Sequence, residues 1–328
     1  MADPTSQPST LSPPTRFSDQ ALRVSLLFNL QSGSTAESDP DDFEHAFTGW
    51  VERHAQWSLH QHVRLEGDFD ATVDQLLSDP PDLCVVAGGD GTIAGLTAKM
   101  VSRNIDFLIG VVPFGTINLF SRDLNLPGDP EVALTVLDEA EVAEVDYASV
   151  NDAPVLCSSI IGFPAKVSER REEYRGRLSG LNCFRFIGRV IRILAREAPY
   201  HAEIKTEQKT LRIKTRFIGV SHNDVKETIG TLPQRDRLDT GRLHIYTLAG
   251  VSWWHYAGLA LRFADGSWKH SPRVMHLEAQ EATIQLLRPR QRVKLINDGE
   301  IDEVRGPLHY RIQPRRLRFL RLPQSHAS

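Results

Sequence analysis

Gly88-Gly89-Asp90-Gly91-Thr92 sets one carboxylate in a glycine-rich turn directly after the apolar run Leu83-Cys84-Val85-Val86-Ala87. The run suits a buried parallel strand, the glycines admit positive φ and close ligand approach, and Ile93 to Val101 resumes a helix-compatible pattern. A strand, a tight turn and a helix N-terminus together form an anion site. A carboxylate there would repel a nucleotide phosphate, so Asp90 is suited to holding a cation, a hydroxyl or a water beside the phosphate. The chemistry suggested is phosphoryl transfer. The same pentapeptide also serves as a plain strand-to-helix corner that needs glycine and binds nothing.

A second signature narrows that choice. Val111-Val112 runs into Pro113-Phe114-Gly115-Thr116-Ile117-Asn118, again an apolar strand ending in a proline, glycine and hydroxyl turn. Asp90 and Asn118 stand 28 positions apart, the length of one turn, helix, strand and return in a parallel βαβ unit. Both turns should then meet at the carboxyl ends of the strands, where open α/β sheets bind ligands. Upstream, Arg23 to Phe28 reads as another strand, followed by the polar loop Asn29-Leu30-Gln31-Ser32-Gly33-Ser34. This loop is either a third phosphate-side turn or ordinary loop composition.

With these residues in place, the chain resembles the diacylglycerol kinase catalytic-domain family, which includes bacterial lipid kinases and sphingosine and ceramide kinases. Gly88 to Thr92 is similar to the family's Gly-Gly-Asp-Gly-Thr signature, Pro113 to Asn118 with Arg122 to its Pro-x-Gly-Thr-x-Asn element, and Asp298-Gly299-Glu300 to its late Asp-Gly-Glu motif. The resemblance runs from about Leu22 to about Pro323. It implies an α/β N-terminal domain with a parallel Rossmann-like sheet, as in NAD kinase and diacylglycerol kinase, plus a β-rich sandwich C-terminal domain. It further implies ATP-dependent phosphorylation of a lipid hydroxyl, such as that of diacylglycerol, in the cleft between them, with Mg²⁺. On the matching positions, Asn29, Ser32, Gly33, Gly88, Gly89, Gly91, Thr92, Gly115, Thr116 and Asn118 would bind ATP. Asp90 and Glu300 would serve the metal and the chemistry. Asn297-Asp298-Gly299 is by itself a strong hairpin-turn sequence; under the resemblance Asp298 becomes the general base that takes the lipid hydroxyl proton, and it should face Asp90 across the cleft. A homodimer is implied by the family alone.

Two positions depart from the family. Many members carry an acidic residue after the asparagine, where this chain has Leu119, which cannot ligate a metal; Asp123 further on either compensates, if its helix faces the cleft, or, the simpler reading, is a solvated first-turn acid favoured by the helix dipole. At Leu238-Asp239-Thr240-Gly241, Thr240 replaces the second of two acids found in many bacterial members, which argues against an accessory Mg²⁺ site there.

The elements that must position these residues divide the chain. Residues 1–20, rich in Pro, Ser and Thr, read as a disordered tail. Residues 21–142 alternate strands and helices, with helices over Phe43 to Trp57, Ala71 to Leu77 and Val132 to Glu139. From 143 to 311 short β-like runs dominate: Val150 to Ile161, Leu211 to Val220, Leu243 to Leu248, Ala282 to Leu287 and Val293 to Ile296. The last run, within 312–323, returns to the first domain under the resemblance. The 328 residues at 41% apolar content suffice for two cores of ordinary size. A formal charge of −4 leaves no overall basic footprint for nucleic acid, and any contact with an anionic surface must be local. The widely spaced Cys84, Cys157 and Cys183 suggest neither a disulfide framework nor a zinc site, which favours a reducing cytoplasm. No run approaches membrane-spanning length and no leader stands at the N-terminus, so a soluble protein, peripheral at the membrane where its lipid lies, is expected.

Two segments bear on lipid access. Arg185, Arg189, Arg192 and Arg196 interleave with Phe184, Phe186, Ile187, Val190, Ile191 and Leu194 in a basic amphipathic pattern, either a surface helix or a membrane-resting one. Trp253-Trp254-His255-Tyr256 with Leu259 and Phe263 makes an aromatic one, suited equally to a core and an interface. There is no Gly-x-x-x-x-Gly-Lys-Ser/Thr loop, Gly-x-Ser-x-Gly elbow or His-Glu-x-x-His helix. Among 12 scattered histidines, His60-x-His62 reads as an exposed or half-buried pair rather than a metal site. The enzyme alternative is an NAD kinase-like nucleotide kinase, whose phosphate turn is also Gly-Gly-Asp-Gly; the other is a catalytically silent lipid- or nucleotide-binding regulator.

Overall fold

The computed structural model describes residues 17–31, 40–115, 118–162, 199–226, 234–250, 252, 254–255, 258–259, 262, 267–287, 293–298 and 300–323. The N-terminal part alternates strand and helix: β1 (Leu22–Asn29), α1 (Pro40–Glu52), β2 (Trp57–Leu65), α2 (Phe69–Ser78), β3 (Leu83–Gly88), α3 (Asp90–Ser102), β4 (Leu108–Pro113), α4 (Leu119–Asp123) and α5 (Pro130–Val136). Every residue of β3 and β4 is buried, which is why both read as uninterrupted apolar runs rather than alternating ones. Helix α1 buries Phe43, Phe47, Trp50 and Val51, the 3.6-residue stripe of an amphipathic helix on a sheet. Asp68 and Asp129 cap α2 and α5, each side chain accepting backbone N–H groups of the first turn.

The helix expected over Phe43 to Trp57 ends at Glu52, and Trp57 instead opens β2. Tertiary packing decides this. The Trp57 ring lies 3.7 Å from the His54 ring and nearly parallel to it, and meets Trp50 edge-on at 4.9 Å, so the turn over 53–56 folds the ring back onto α1.

The strands β2-β1-β3-β4 lie side by side and parallel. The chain moves outward from β1 to β2 on one side, then from β3 to β4 on the other. The topological switch point therefore falls between the carboxyl ends of β1 and β3, at Asn29 and Gly88, the place where doubly wound sheets open a ligand crevice.

The remaining strands are β5 (Glu141–Val150), β6 (Ala153–Val155), β7 (Ser159–Gly162), β8 (Tyr200–Thr206), β9 (Thr210–Thr215), β10 (Phe217–His222), β11 (Leu243–Leu248), β12 (Val274–Ala279), β13 (Glu281–Leu286), β14 (Val293–Asn297), β15 (Glu300–Val304) and β16 (Leu308–Arg321). The long β16 pairs in parallel with β4 through Arg318 and Phe319, and antiparallel with β5 and β13. It thereby extends the first sheet through β13, β8 and β9. A second, antiparallel sheet runs β12-β11-β10-β7-β14-β15 and faces that extension. Ile161, Val220, Ile245 and Leu295 from the second sheet meet Ile204, Ile284 and Tyr310 from the first in one apolar core, a β-sandwich. The chain leaves the α/β core along β5: Val145 and Tyr147 pack into the first core, Ala148 and Val150 into the second. Buried Asp146, between them, accepts N–H from Gly241 (2.7 Å) and from Arg315 (2.8 Å), tying a loop of the second unit to an irregularity in β16.

Candidate active site

Two turns at the switch point touch through their backbones. A Cβ on Gly89 would lie 3.1 Å from Cα of Gly115, and one on Gly115 would lie 2.7 Å from Cα of Gly89 and 2.5 Å from Asn118 Oδ1. Both positions need glycine for close approach, not for handedness. The positive φ expected of the glycines in the first turn is not used: Gly89 has φ −96°, and neither Gly88 nor Gly115 is left-handed. The residue that does turn left-handed is Asn118, at φ 52°, whose side chain donates to Gly115 O at 2.7 Å. Asn29, at the end of β1, donates to Thr92 Oγ1 at 2.8 Å, and Phe114 N–H donates to Gly88 O at 3.0 Å, so the ends of β1, β3 and β4 form one latticed corner. Gly115→Ala is expected to destabilise the fold by about 1–3 kcal/mol through this overpacking, read as a lower midpoint in urea.

Asp90, the first residue of α3, reaches across to the second turn. Its carboxylate accepts Leu119 N–H at 2.9 Å on one oxygen and Phe120 N–H at 3.0 Å on the other, so it satisfies the open N-terminus of α4. Burial raises its pKa above the usual carboxylate range, while those two N–H groups and the charges of Arg235 and Arg122 pull it back. Each oxygen keeps a second lone pair. Mg²⁺ is commonly held by one or two carboxylates together with phosphate oxygens, and Asp90 fits as one such ligand.

Asp123 is not the solvated acid its helix-start position suggests. Its side chain is 3% exposed and forms a two-pronged ion pair with Arg235, equally buried, at 2.5 and 3.0 Å, and it also accepts Arg235 N–H at 2.7 Å. The α4 backbone turns this face inward, and a carboxylate there is tolerable only with a fixed cation. Arg235 also donates to Leu156 O (3.1 Å) and to the His222 ring (2.6 Å). Burial, with the Arg235 charge beside it, holds His222 well below its ordinary pKa and so neutral.

Asp298 occupies the β14–β15 hairpin turn with φ 51°, the left-handed conformation the Asn-Asp-Gly turn reading requires. It is also more than a turn residue. Its carboxylate accepts three consecutive backbone N–H groups: Leu156 at 2.5 Å, Cys157 at 2.6 Å and Ser158 at 2.9 Å. Burial nonetheless dominates and lifts its pKa to about 6, against the pull of those donors and of Arg235. Asp90, Asp123, Asp298 and Arg235 all act on the buried Cys157 thiol, which places carboxylates more than 200 positions apart in sequence in one electrostatic cluster.

Beside this cluster lies a cavity of about 250 Å³. Leu119, Ile160, Val220, Leu248, Tyr246 and Trp268 line it, together with Cys157, Asp123 and Arg235 of the cluster and the neighbouring Ser158. Leu119, the departure from the family pattern, thus gives its backbone N–H to Asp90 and lines an apolar space.

Of the residues the sequence singled out, Asn29, Gly88, Gly89, Thr92, Gly115 and Asn118 meet at the switch point, with Gly91 exposed in the first turn of α3. Asp90 joins them to α4. Ser32, Gly33, Thr116 and Gly299 lie outside the described residues, as do the Arg185 to Arg196 segment and Trp253, Tyr256 and Phe263; Glu300 is described only as the first residue of β15. Sequence reasoning missed Arg235 and His222, and it read Asp123 as solvated where it is buried and paired with Arg235. Each sits in a polar run that reads as solvated, and no spacing marks them.

Residues 23–150 match the diacylglycerol kinase catalytic domain. The kinase-like stretch has curated relatives: a diacylglycerol kinase of Staphylococcus epidermidis is 33% identical over 86 residues, 26% of this chain and 27% of that protein. The uncharacterized protein sll0036 of Synechocystis is 28% identical over 138 residues, 42% of this chain and 31% of that protein. The matched stretch thus spans less than half the length of either relative. A solved diacylglycerol kinase structure from Bacillus anthracis superposes over 92% of this chain and 97% of its own, with a TM-score of 0.66 at 18% identity. A second B. anthracis structure gives 0.71 at 20% identity with the same coverage. The two-part fold, a parallel α/β sheet followed by an antiparallel β unit, is therefore shared along nearly the whole chain, and its first part is similar in sequence to the diacylglycerol kinase catalytic domain.

Proposed function

We propose that the protein transfers the γ-phosphoryl group of ATP to the hydroxyl of a lipid such as diacylglycerol. The observation that carries this reading is the placement of the apolar cavity: its lining includes Cys157 and Ser158, the same segment whose N–H groups hold the Asp298 carboxylate. A chain-bearing acceptor lying in that cavity would set its hydroxyl beside the segment that holds Asp298. Apolar walls suit an acyl or alkyl chain and not the charged dinucleotide of the NAD kinase alternative.

In this reading the two latticed turns, with the N-terminus of α3, hold the ATP phosphates. Asp90 fixes the second turn against the first, so phosphate and acceptor are aligned before reaction. Asp298 accepts the hydroxyl proton as the oxygen attacks the γ-phosphorus; Oδ2 carries one N–H donor and keeps a lone pair for this. When bound, Mg²⁺ would neutralise and orient phosphate oxygens, with Asp90 and, from the edge of the same hairpin, Glu300 as the residues to hold it. No helix among the described residues is long and apolar enough to cross a membrane, and the lipid would be met at a membrane surface.

The test is transfer of label from γ-labelled ATP with Mg²⁺ to a panel of diacylglycerol, sphingoid base, ceramide and phosphatidylglycerol, with NAD as a separate acceptor. Label in an organic-soluble product, lost in Asp90→Ala, is expected. Label in NAD would transfer the assignment to the nucleotide kinase, and ATP binding without label anywhere would make the protein a silent regulator.

A further inference from the structure

Away from the carboxylate cluster, toward the outer edge of the second sheet, two side chains from neighbouring strands and one from the segment after a third converge. His244 lies on β11, His276 on the neighbouring edge strand β12, and Asp224 two residues beyond the end of β10. In the antiparallel register His276 sits opposite Tyr246, which places it diagonally across from His244 on the same sheet face. One potential ligand atom from each of the three lies within 4.8 Å of the others. His244 Nδ1 and His276 Nε2 are 2.9 Å apart, and Asp224 Oδ1 is 3.7 Å from His244 Nδ1.

We infer that Asp224, His244 and His276 form a binding site for a divalent borderline ion, best suited to Zn²⁺. Two imidazoles and one carboxylate are a donor set such an ion favours, and a three-residue set leaves a fourth tetrahedral position for water. Zinc–nitrogen bonds of about 2.0–2.1 Å set tetrahedral nitrogens roughly 3.3 Å apart, so the pair opens by only roughly 0.4 Å to receive the ion. The proton now shared between the two rings moves to a distal ring nitrogen of its own imidazole. His244 is buried, whereas His276 and Asp224 are exposed, which gives the ion a path from solvent.

The surroundings are those of a built site. Tyr246 OH donates to Asp224 Oδ1, and the Tyr246 ring stacks on His276 at 4.8 Å and 7°, so one residue orients two ligands. Lys269 Nζ also contacts Asp224 Oδ1, at 2.7 Å, and its ammonium is the charge the ion must displace. It already lies 5.6 Å from the Trp268 ring centroid and 5.9 Å from that of Tyr246, contacts that do not depend on Asp224. Asp224 Oδ2 has no donor among the described residues. The ion would cross-brace β10, β11 and β12 immediately behind Tyr246 and Trp268, two walls of the cavity.

The experiment is equilibrium dialysis of the chelator-stripped full chain against Zn²⁺ alone, followed by visible spectroscopy with Co²⁺ in its place. One ion per chain is expected, with the intense visible bands of tetrahedral Co²⁺. His276→Ala, at an exposed position that should leave the fold intact by circular dichroism, should weaken binding by at least about 10–100-fold, and Asp224→Asn should weaken it as well. Lys269→Gln should tighten it several-fold, a gain that no loss of folding could mimic. Absence of stoichiometric uptake, or uptake unchanged in both His276→Ala and Asp224→Asn, overturns the site.

Discussion

Asp298→Asn is expected to lower turnover by about two to four orders of magnitude, the usual contribution of a positioned general base, while leaving ATP binding close to that of the parent. The amide keeps one carbonyl oxygen for Cys157 and Ser158 and turns its NH₂ toward Leu156 N–H, so a modest loss of stability accompanies the loss of rate. The pH profile separates the two. Asp298 is lifted to about 6 in the folded chain, above its ordinary value of about 3.9. A raised carboxyl favours the protonated form in the fold. Its contribution to stability is full below about pH 4 and is lost as pH rises through 6, amounting to about 3 kcal/mol of cost at neutral pH. The parent should therefore show an acid limb near pH 6 in kcat/KM of lipid phosphorylation, as the base form appears, together with a stability that falls as pH crosses the same value. Asp298→Asn should lack both features. A profile flat through pH 6 in the parent, or turnover unchanged in the variant, removes Asp298 from the proton transfer.

The parts of this site that could be read from the chain are those whose residue types are forced by local geometry. Gly89 and Gly115 stand where backbones approach closely, Gly88 stands where the Thr92 side chain leaves no room for a Cβ, and Asn118 and Asp298 stand where the chain turns left-handed. Each leaves a mark in sequence because few residues substitute there. Strands β3 and β4 were legible for a related reason: buried on both faces, they cannot carry many polar residues. Strand β2 was not, because its burial is uneven and its leading Trp57 joins the helix pattern before it. The pairing of Arg235 with Asp123 was invisible because an ion pair 112 positions apart is set by how β10, β11 and α4 come together, and nothing in Gln234-Arg235-Asp236 distinguishes a buried arginine from a solvated one. The His244–His276 pair was hidden likewise. Its 32-residue separation becomes a contact only through the β11–β12 register.

Arg235→Gln should produce the largest loss of stability among single substitutions at the site, about 3–5 kcal/mol, because it leaves Asp123 buried beside Asp90 without its cation. Asp123→Asn combined with Arg235→Gln should recover a large part of that loss. The side-chain carbonyl that Asp123→Asn retains can still accept the backbone N–H of residue 235, and a neutral amide pair carries no desolvated charge. Urea denaturation of the two singles and the double gives the coupling directly. The double variant also isolates what Arg235 does beyond folding. Its charge now lowers the pKa of both Asp90 and Asp298 against the effect of their burial. With that charge gone, Asp298 should titrate higher, so the acid limb in kcat/KM should move above pH 6 while the maximal rate at alkaline pH is largely retained. A double variant as unstable as Arg235→Gln would show that the arginine is held by its contacts to Leu156 and His222 more than by Asp123. A recovered fold with an unmoved acid limb would mean that Arg235 serves packing alone, and that burial by itself sets the proton affinity of Asp298.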